Sequence, residues 1–279
     1  MTGWMVYEAH NIQRNQFFID RWMQAAKARD ISLRLVTVQQ LAYGVMDGAL
    51  FLQLDGMSAR PDFVLMRAAR PGLSEHLEGM SIPCFNNAHV ARIAGDKRRT
   101  HATFAGVLPM MDTAFLSQDA FANPFPYPVV VKGAHGCGGR EVYLAHNEQE
   151  YRHAVQQIAP DSLVVQPLCD QPGQDLRVYV LGHEVVAAML RYSDGDFRSN
   201  LGQGGGSKPV DMTEDIRRYV RIVQDRFDFG LVGIDFIFHQ GRPVFNEIED
   251  AVGTRMLYMH TDRDIAAEYL DLILARVQY

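Results

Sequence analysis

The chain has 279 residues and a formal net charge of −6, with a composition ordinary for a soluble globular protein. That length supports two or three subdomains with cores of their own. The interspersed charges contain no long basic run, which argues against nucleic acid as a partner, and no apolar run approaches a membrane span.

The first third alternates strand-like and helix-like segments. Gly3 to Tyr7 is apolar, and Arg14 to Arg29 carries Phe17, Phe18, Trp22 and Ala25 at helical spacing. Strands are expected at Leu33 to Val38, Phe63 to Met66 and Ile82 to Phe85, with a short helix over Leu73 to Met80. This β-α-β alternation predicts an open, largely parallel sheet, with ligands bound beyond the carboxyl ends of its strands. Glu8, His10, Asn11, Arg67 and Arg70 lie at those ends. The two arginines are a candidate carboxylate or phosphate clamp, or simply solvated loop residues.

Asp96 is a natural N-cap for a helix that runs from Lys97 towards Gly106. Ala122 to Pro128 reads as a linker. Val129 to Lys132 is a strand ending in lysine, and the loop Gly133-Ala134-His135-Gly136-Cys137-Gly138-Gly139-Arg140 leads to a second strand at Glu141 to Leu144. Glycines let a backbone approach a ligand and present N–H groups to anions, so the loop is a candidate phosphate flap; alone, it could equally be a tight turn. A helix over Glu148 to Ile158 and a strand over Leu163 to Leu168 follow. Asp175 to Leu181 and Glu184 to Tyr192 form a hairpin about Gly182-His183. Phe197 to Ser207 is a polar, Gly-rich loop, Thr213 caps an amphipathic helix to Phe227, and Arg263 to Val277 is the last helix.

The most informative stretch is the hairpin around Asp235 to Glu249. Two apolar runs flank a His239-Gln240-Gly241 turn; Glu247 and Glu249, two apart, share a face, and pairing brings Asp235 beside them. Two like charges about 4 Å apart cost roughly 4 kcal/mol at an effective dielectric near 20, so three carboxylates together call for a cation. Oxygen-only ligands suit Mg²⁺, although a wet acidic strand face would read the same. Asp175, Arg177, Arg191, Arg198 and Asn200 form a further polar set. They can neutralise one another or surround a metal-bound triphosphate.

The order of these features resembles the ATP-grasp superfamily, most closely its RimK-like amino-acid ligases. The resemblance is carried by Lys97, Lys132 with its Gly-rich flap, Asp175-x-Arg177, Arg198-x-Asn200 with glycines, Asp235, and Glu247-x-Glu249. It implies an ATP-grasp fold of mixed α/β and α+β class. An N-terminal open α/β domain would occupy residues 1–93, a central lid subdomain 94–166, and a C-terminal subdomain with the metal site 167–279. ATP would be held by Lys97, Lys132, Gly136, Gly138, Gly139, the segment Gln166-Pro167-Leu168 at adenine, and Asp175. Mg²⁺, or Mn²⁺ in its place, would fall to Asp235, Glu247 and Glu249. Arg198 and Arg191, with Arg177 and Asn200, would serve catalysis, and Arg67, Arg70 and Arg255 are candidates for substrate carboxylates. The sequence departs from the family at Glu249, where Asn is usual, and at Asp250 to Arg255, where Ser-Pro-Gly is usual.

The resemblance implies an ATP-dependent carboxylate–amine ligase working through an acyl phosphate, with small-molecule carboxylate and amine substrates or a peptide or protein tail. A homodimer or homotetramer is a family expectation. A kinase or phosphotransferase on the same nucleotide site, and a non-catalytic ATP-binding module, are the alternatives. Cys84, Cys137 and Cys169 are scattered, forming neither a disulfide framework nor a zinc spacing. No basic region followed by an apolar core opens the chain, so a cytoplasmic location is expected.

Overall fold

A computed structural model of the chain describes residues 1–117, 122–136, 141–160, 162–193, 195–199 and 204–277. The chain opens with β1 (Thr2–Tyr7), α1 (Ile12–Lys27) and β2 (Ser32–Thr37). On α1, Ile19, Trp22, Ala25 and Ala26 recur at helical spacing and are buried, so one apolar stripe docks the helix. After an excursion the chain returns through β6 (Phe63–Met66), α2 (Pro71–Gly79) and β7 (Cys84–Phe85). The four strands form a parallel sheet in the order β2-β1-β6-β7, as the alternation predicts.

The excursion is an element that the pattern reading missed. Strands β3 (Leu41–Met46), β4 (Ala49–Leu54) and β5 (Met57–Ser58) form a separate antiparallel sheet. Its two turns are Asp47-Gly48 and Asp55-Gly56, with both residues of each at positive φ. Asp-Gly is a preferred pair for such two-residue turns, so the signal was present in the sequence.

Two short helices, α3 (Ala88–Ala94) and α4 (Lys97–Phe104), lead out of the first sheet; Asp96 caps α4 by accepting from the Arg98 backbone N–H. Both straddle or adjoin the expected boundary at 93/94. Val90 and Phe104 join the core beneath the C-terminal sheet. Strands β8 (Ala114–Leu116), β9 (Val129–Gly133), β10 (Val142–Ala145) and β11 (Leu163–Pro167) form an antiparallel lid sheet, ordered β10-β9-β11-β8. Helix α5 (Glu148–Gln156) covers it through Tyr151, Ala154 and Val155.

The third sheet carries the chemistry. It comprises β12 (Gln174–Leu181), β13 (Glu184–Tyr192), β14 (Gly206–Pro209), β15 (Leu231–His239) and β16 (Arg242–Glu249), ordered β14-β13-β12-β15-β16 and antiparallel throughout. Leu176, Val178 and Val180 point to one face, where α6 (Glu214–Gln224) packs Ile216, Val220 and Val223. Tyr179 and Leu181 point to the other, where they meet Tyr269, Leu270 and Ile273 of α8 (Ile265–Val277). Asp175 and Arg177 lie on that second face by the period of two. It is therefore apolar at one end and charged at the other. A six-residue helix, α7 (Arg255–His260), precedes α8; the pattern reading did not predict it.

Phe245 of β16 joins these parts. Fully buried, it packs against Phe104 of α4 and Phe236 of β15 with ring centroids 4.9 and 6.1 Å apart, and its N–H donates to the Pro109 carbonyl at 2.8 Å. Phe245→Ala should cost about 3–5 kcal/mol of stability, read as a lowered urea midpoint.

Candidate active site

A cleft opens between the lid sheet and the charged end of the third sheet. Lys97, Lys132, Gly136, Gln166, Pro167, Leu168, Asp175, Arg191, Arg198 and Glu247 all line it. The sequence assigns each of them to the site, and five chain segments far apart in sequence converge there. Gly138, Gly139 and Asn200 lie outside the described residues.

The floor is a chain of opposite charges set by strand register. Asp175 pairs across to Arg191, and Arg177 pairs across to Asp235. Arg177 grips Asp235 with two bonds, Nε to Oδ1 at 2.8 Å and a terminal nitrogen to Oδ2 at 2.6 Å. Arg191 donates to both Asp175 oxygens and, at 2.7 Å, to Asp235 Oδ2. Arg177 also reaches Glu249 Oε2 at 3.4 Å. Burial would raise the Asp235 carboxyl, but the two guanidinium groups outweigh it and hold Asp235 below the usual carboxylate range. Glu249 is pushed upward by burial and by Glu247 and Asp235, against the pull of Arg177.

Two lysines stand over this floor. Lys97 Nζ lies 3.2 Å from Glu247 Oε2 and donates to the Gly136 carbonyl at 2.6 Å. Burial works against the charge on Glu247, yet Lys97 and Lys132 lower its carboxyl overall. Lys132 Nζ donates to Asn246 Oδ1 at 3.1 Å. Burial, aided by the nearby Lys97, brings the Lys132 ammonium down to about 8. Gln166 donates to Thr113 Oγ1 at 2.8 Å, which fixes the strand that leads into Pro167 and Leu168. Arg198 lines the mouth and is held by Asp196, a terminal nitrogen to Oδ2 at 2.7 Å.

The structure distributes the expected metal ligands unequally. Glu247 faces the cleft, whereas Asp235 lies behind it with three hydrogen bonds from two arginines. Among the described residues no group of three or more His, Cys, Asp or Glu forms a ready-made metal cluster. The donor set still fits Mg²⁺, which commonly takes one or two carboxylates and completes its shell with phosphate oxygens and water. Glu247 lines the cleft, and Glu249, two residues on along the same strand, stands against Arg177 at 3.4 Å; together they offer such a pair of all-oxygen donors.

The candidate substrate arginines do not come together as one clamp. Arg67 donates to the carbonyls of Ala251 and Val252 at 3.2 and 2.8 Å, just beyond Glu249. Arg70 is paired with Glu8 at 2.7 Å, and Arg255 is exposed at the start of α7. Two residues escaped the sequence reading. Asn246 lines the cleft because of a bulge that no pattern revealed. His101 of α4 is buried behind it, and burial lowers its imidazole to about 4, leaving it neutral.

The overall fold is shared with solved structures. A RimK domain ATP-grasp protein from Sphaerobacter thermophilus aligns with a TM-score of 0.75 at 18% identity, over 98% of this chain and 100% of that one. The fold is thus the ATP-grasp fold. The RimK-like ATP-grasp domain model matches residues 113–273, and the chain belongs to that family. N-acetylaspartylglutamate synthase A from Homo sapiens is 30% identical over 236 residues, 77% of this chain and 60% of that protein. A probable alpha-L-glutamate ligase from Maridesulfovibrio salexigens is 28% identical over 213 residues, 72% of this chain and 70% of that one. The chain thus spans about three fifths of the length of the human relative.

The buried network has a measurable signature. Because Asp235 is held below its ordinary value, its contribution to stability is complete above about pH 4 and is lost as the pH falls through its lowered value. Asp235→Asn, which strips a buried charge from two arginines, should cost about 3–5 kcal/mol at neutral pH. It should also flatten the loss of stability below about pH 4. Urea titrations across that range in EDTA read both effects.

Proposed function

We propose that this chain is an ATP-dependent carboxylate–amine ligase. The observation that carries the reading is the pairing, in one cleft, of the Lys97–Glu247 contact with Lys132, beside the Gln166-Pro167-Leu168 segment. Family membership supports ATP as the nucleotide. The adenine would lie along Gln166 to Leu168, and the phosphates would run towards Lys97 and Lys132.

Glu247 and Glu249 would hold Mg²⁺, with Asp235 supporting them from the floor. When bound, the metal supplies positive charge between the phosphates, where negative charge must be neutralised. In the reaction, a substrate carboxylate oxygen attacks the γ-phosphorus and ADP leaves, giving an acyl phosphate. An amine then attacks the acyl carbon, phosphate leaves, and the ammonium proton passes to solvent or to the departing phosphate. No side-chain nucleophile is required, so positioning and charge carry the catalysis.

Each group in the cleft has a part in that scheme. Lys97 and Lys132 orient the phosphates, and Arg191, locked between Asp175 and Asp235, presents a fixed guanidinium edge. Arg198 at the mouth is the candidate to meet the transferred phosphoryl group. Asp196 orients it now through a cluster of bonds. The names of the relatives make glutamate the first amine to test, and N-acylated or free amino acids the first carboxylates.

Phosphate release from Mg-ATP should require both a carboxylate and an amine, and the product should be lighter by one water than its two substrates. Replacing the amine with hydroxylamine should give a hydroxamate; a stable phosphorylated product without amine would instead mark a kinase. Glu247→Gln should reduce phosphate release at least about 100-fold while the thermal midpoint stays near that of the wild type. Ligation that survives in that variant would remove Glu247 from the metal site.

A further inference from the structure

Asn246 breaks the alternation of its strand. Asp235 pairs with Glu247, but Phe236 pairs with Phe245, so Asn246 is an extra residue bulged from β16. In an unbroken strand Asn246 and Glu247 would face opposite sides of the sheet. With the bulge, both line the cleft. Behind the bulge the buried His101 ring packs against Phe245, the residue before Asn246, with ring centroids 6.5 Å apart. In front, the Asn246 side-chain oxygen accepts from Lys132 Nζ at 3.1 Å.

The cations around this cleft are matched to different partners. Lys97 sits against Glu247, Arg191 against Asp175 and Asp235, and Arg198 against Asp196. Lys132 meets an amide, which can fix the position of an ammonium without cancelling its charge. A carboxylate at the same place would both fix it and neutralise it. It would also set a negative charge where phosphate oxygens must come, and desolvation in the cleft would strengthen that repulsion.

We propose that Asn246 is the residue that tunes the phosphate affinity of the cleft, by holding Lys132 in place as a neutral acceptor. It acts through Lys132 and is a positioning residue. The proposal rests on the nucleotide reading of the cleft. It adds a residue outside the lysine and carboxylate pattern, and a reason for the bulge that presents it.

The test is isothermal titration of the full chain, in Mg²⁺, with ATP, ADP and adenosine, for the wild type, Asn246→Asp and Asn246→Leu. Thermal melts of each variant accompany it. Asn246→Asp keeps the shape of the side chain and adds only charge; it should weaken ATP and ADP by about tenfold or more and leave adenosine within about twofold. Asn246→Leu removes the acceptor without adding charge and should fall between the wild type and Asn246→Asp for the two phosphorylated ligands. An equal loss for all three ligands with a lowered melting temperature would make Asn246 a purely structural residue and overturn the proposal. Unchanged ATP affinity in both variants would overturn it as well. A wild type that binds none of the three ligands would bring down the nucleotide reading itself, which the other outcomes leave standing.

Discussion

Asp235 is the constraint on which the rest of the site depends. It is fully buried on an interior strand and cannot stay ionised there without positive partners. Strand register supplies them: Arg177 faces it directly, and Arg191 reaches it from one strand further. Each arginine then needs a second acceptor, which Glu249 and Asp175 provide. Five charged side chains on four neighbouring strands are thereby held in one relative arrangement. Removing Asp235 would leave both buried arginines short of an acceptor, a cost of several kcal/mol in comparable networks. A buried network of this kind is weak evidence for stability as such. Here it fixes where the open carboxylate, Glu247, and the guanidinium edge of Arg191 stand with respect to the lysines.

This division of labour explains why some of the expected site residues line the cleft and others do not. Arg177, Asp235 and Glu249 form a rigid floor, while Lys97, Lys132, Arg191, Arg198 and Glu247 face the space above it. The two arginines of the network offset most of the negative charge of its three carboxyl groups. The lysines are mounted differently. Lys97 begins a helix capped by Asp96 and also bonds the Gly136 carbonyl, so it couples α4 to the base of the Gly-rich segment. Lys132, near the end of a lid strand, reaches the opposite sheet through Asn246. The two cations therefore enter the cleft from separate structural elements.

Much of this was legible in the sequence because strand periodicity is strict. The spacings Asp175-x-Arg177 and Glu247-x-Glu249 define shared faces, and the Gln240-Gly241 turn, with both residues at positive φ, fixes the hairpin that sets Asp235 opposite Glu247. The caps at Asp96 and Thr213 were equally readable, since each side chain accepts from a backbone N–H two or three residues on. Three things were not legible. The sheet of β3 to β5 lies largely exposed, so its strands lack the apolar alternation that marks buried ones, and its Asp-Gly turns were passed over. The bulge at Asn246 depends on the registration of two strands. The sharing of Asp235 between two arginines is likewise a property of three strands at once; the residues of any one strand do not reveal it.

The segment after Glu249 shows how the same geometry can be reached with different residues. The family's usual Ser-Pro-Gly there would stiffen the chain through proline, whose fixed φ limits the backbone by itself. This chain has Asp250 to Thr254 instead and holds its carbonyls from outside. Asn86 donates to the Asp250 backbone at 3.1 Å and to its carboxylate at 2.6 Å. Arg67 takes the next two carbonyls, and Tyr179 donates to the Gly253 carbonyl at 2.8 Å. Two of these three side chains, Arg67 and Asn86, follow strands of the first sheet, so the segment after Glu249 is also where the first sheet is tied to the third. Arg67 thus spends a guanidinium edge on backbone oxygen, which draws it away from the substrate role that its place at a strand end implied. Arg255, exposed at the first turn beyond the clamp, is the arginine left facing solvent on that side. The clamp on residues 250–253 fixes the chain immediately ahead of it.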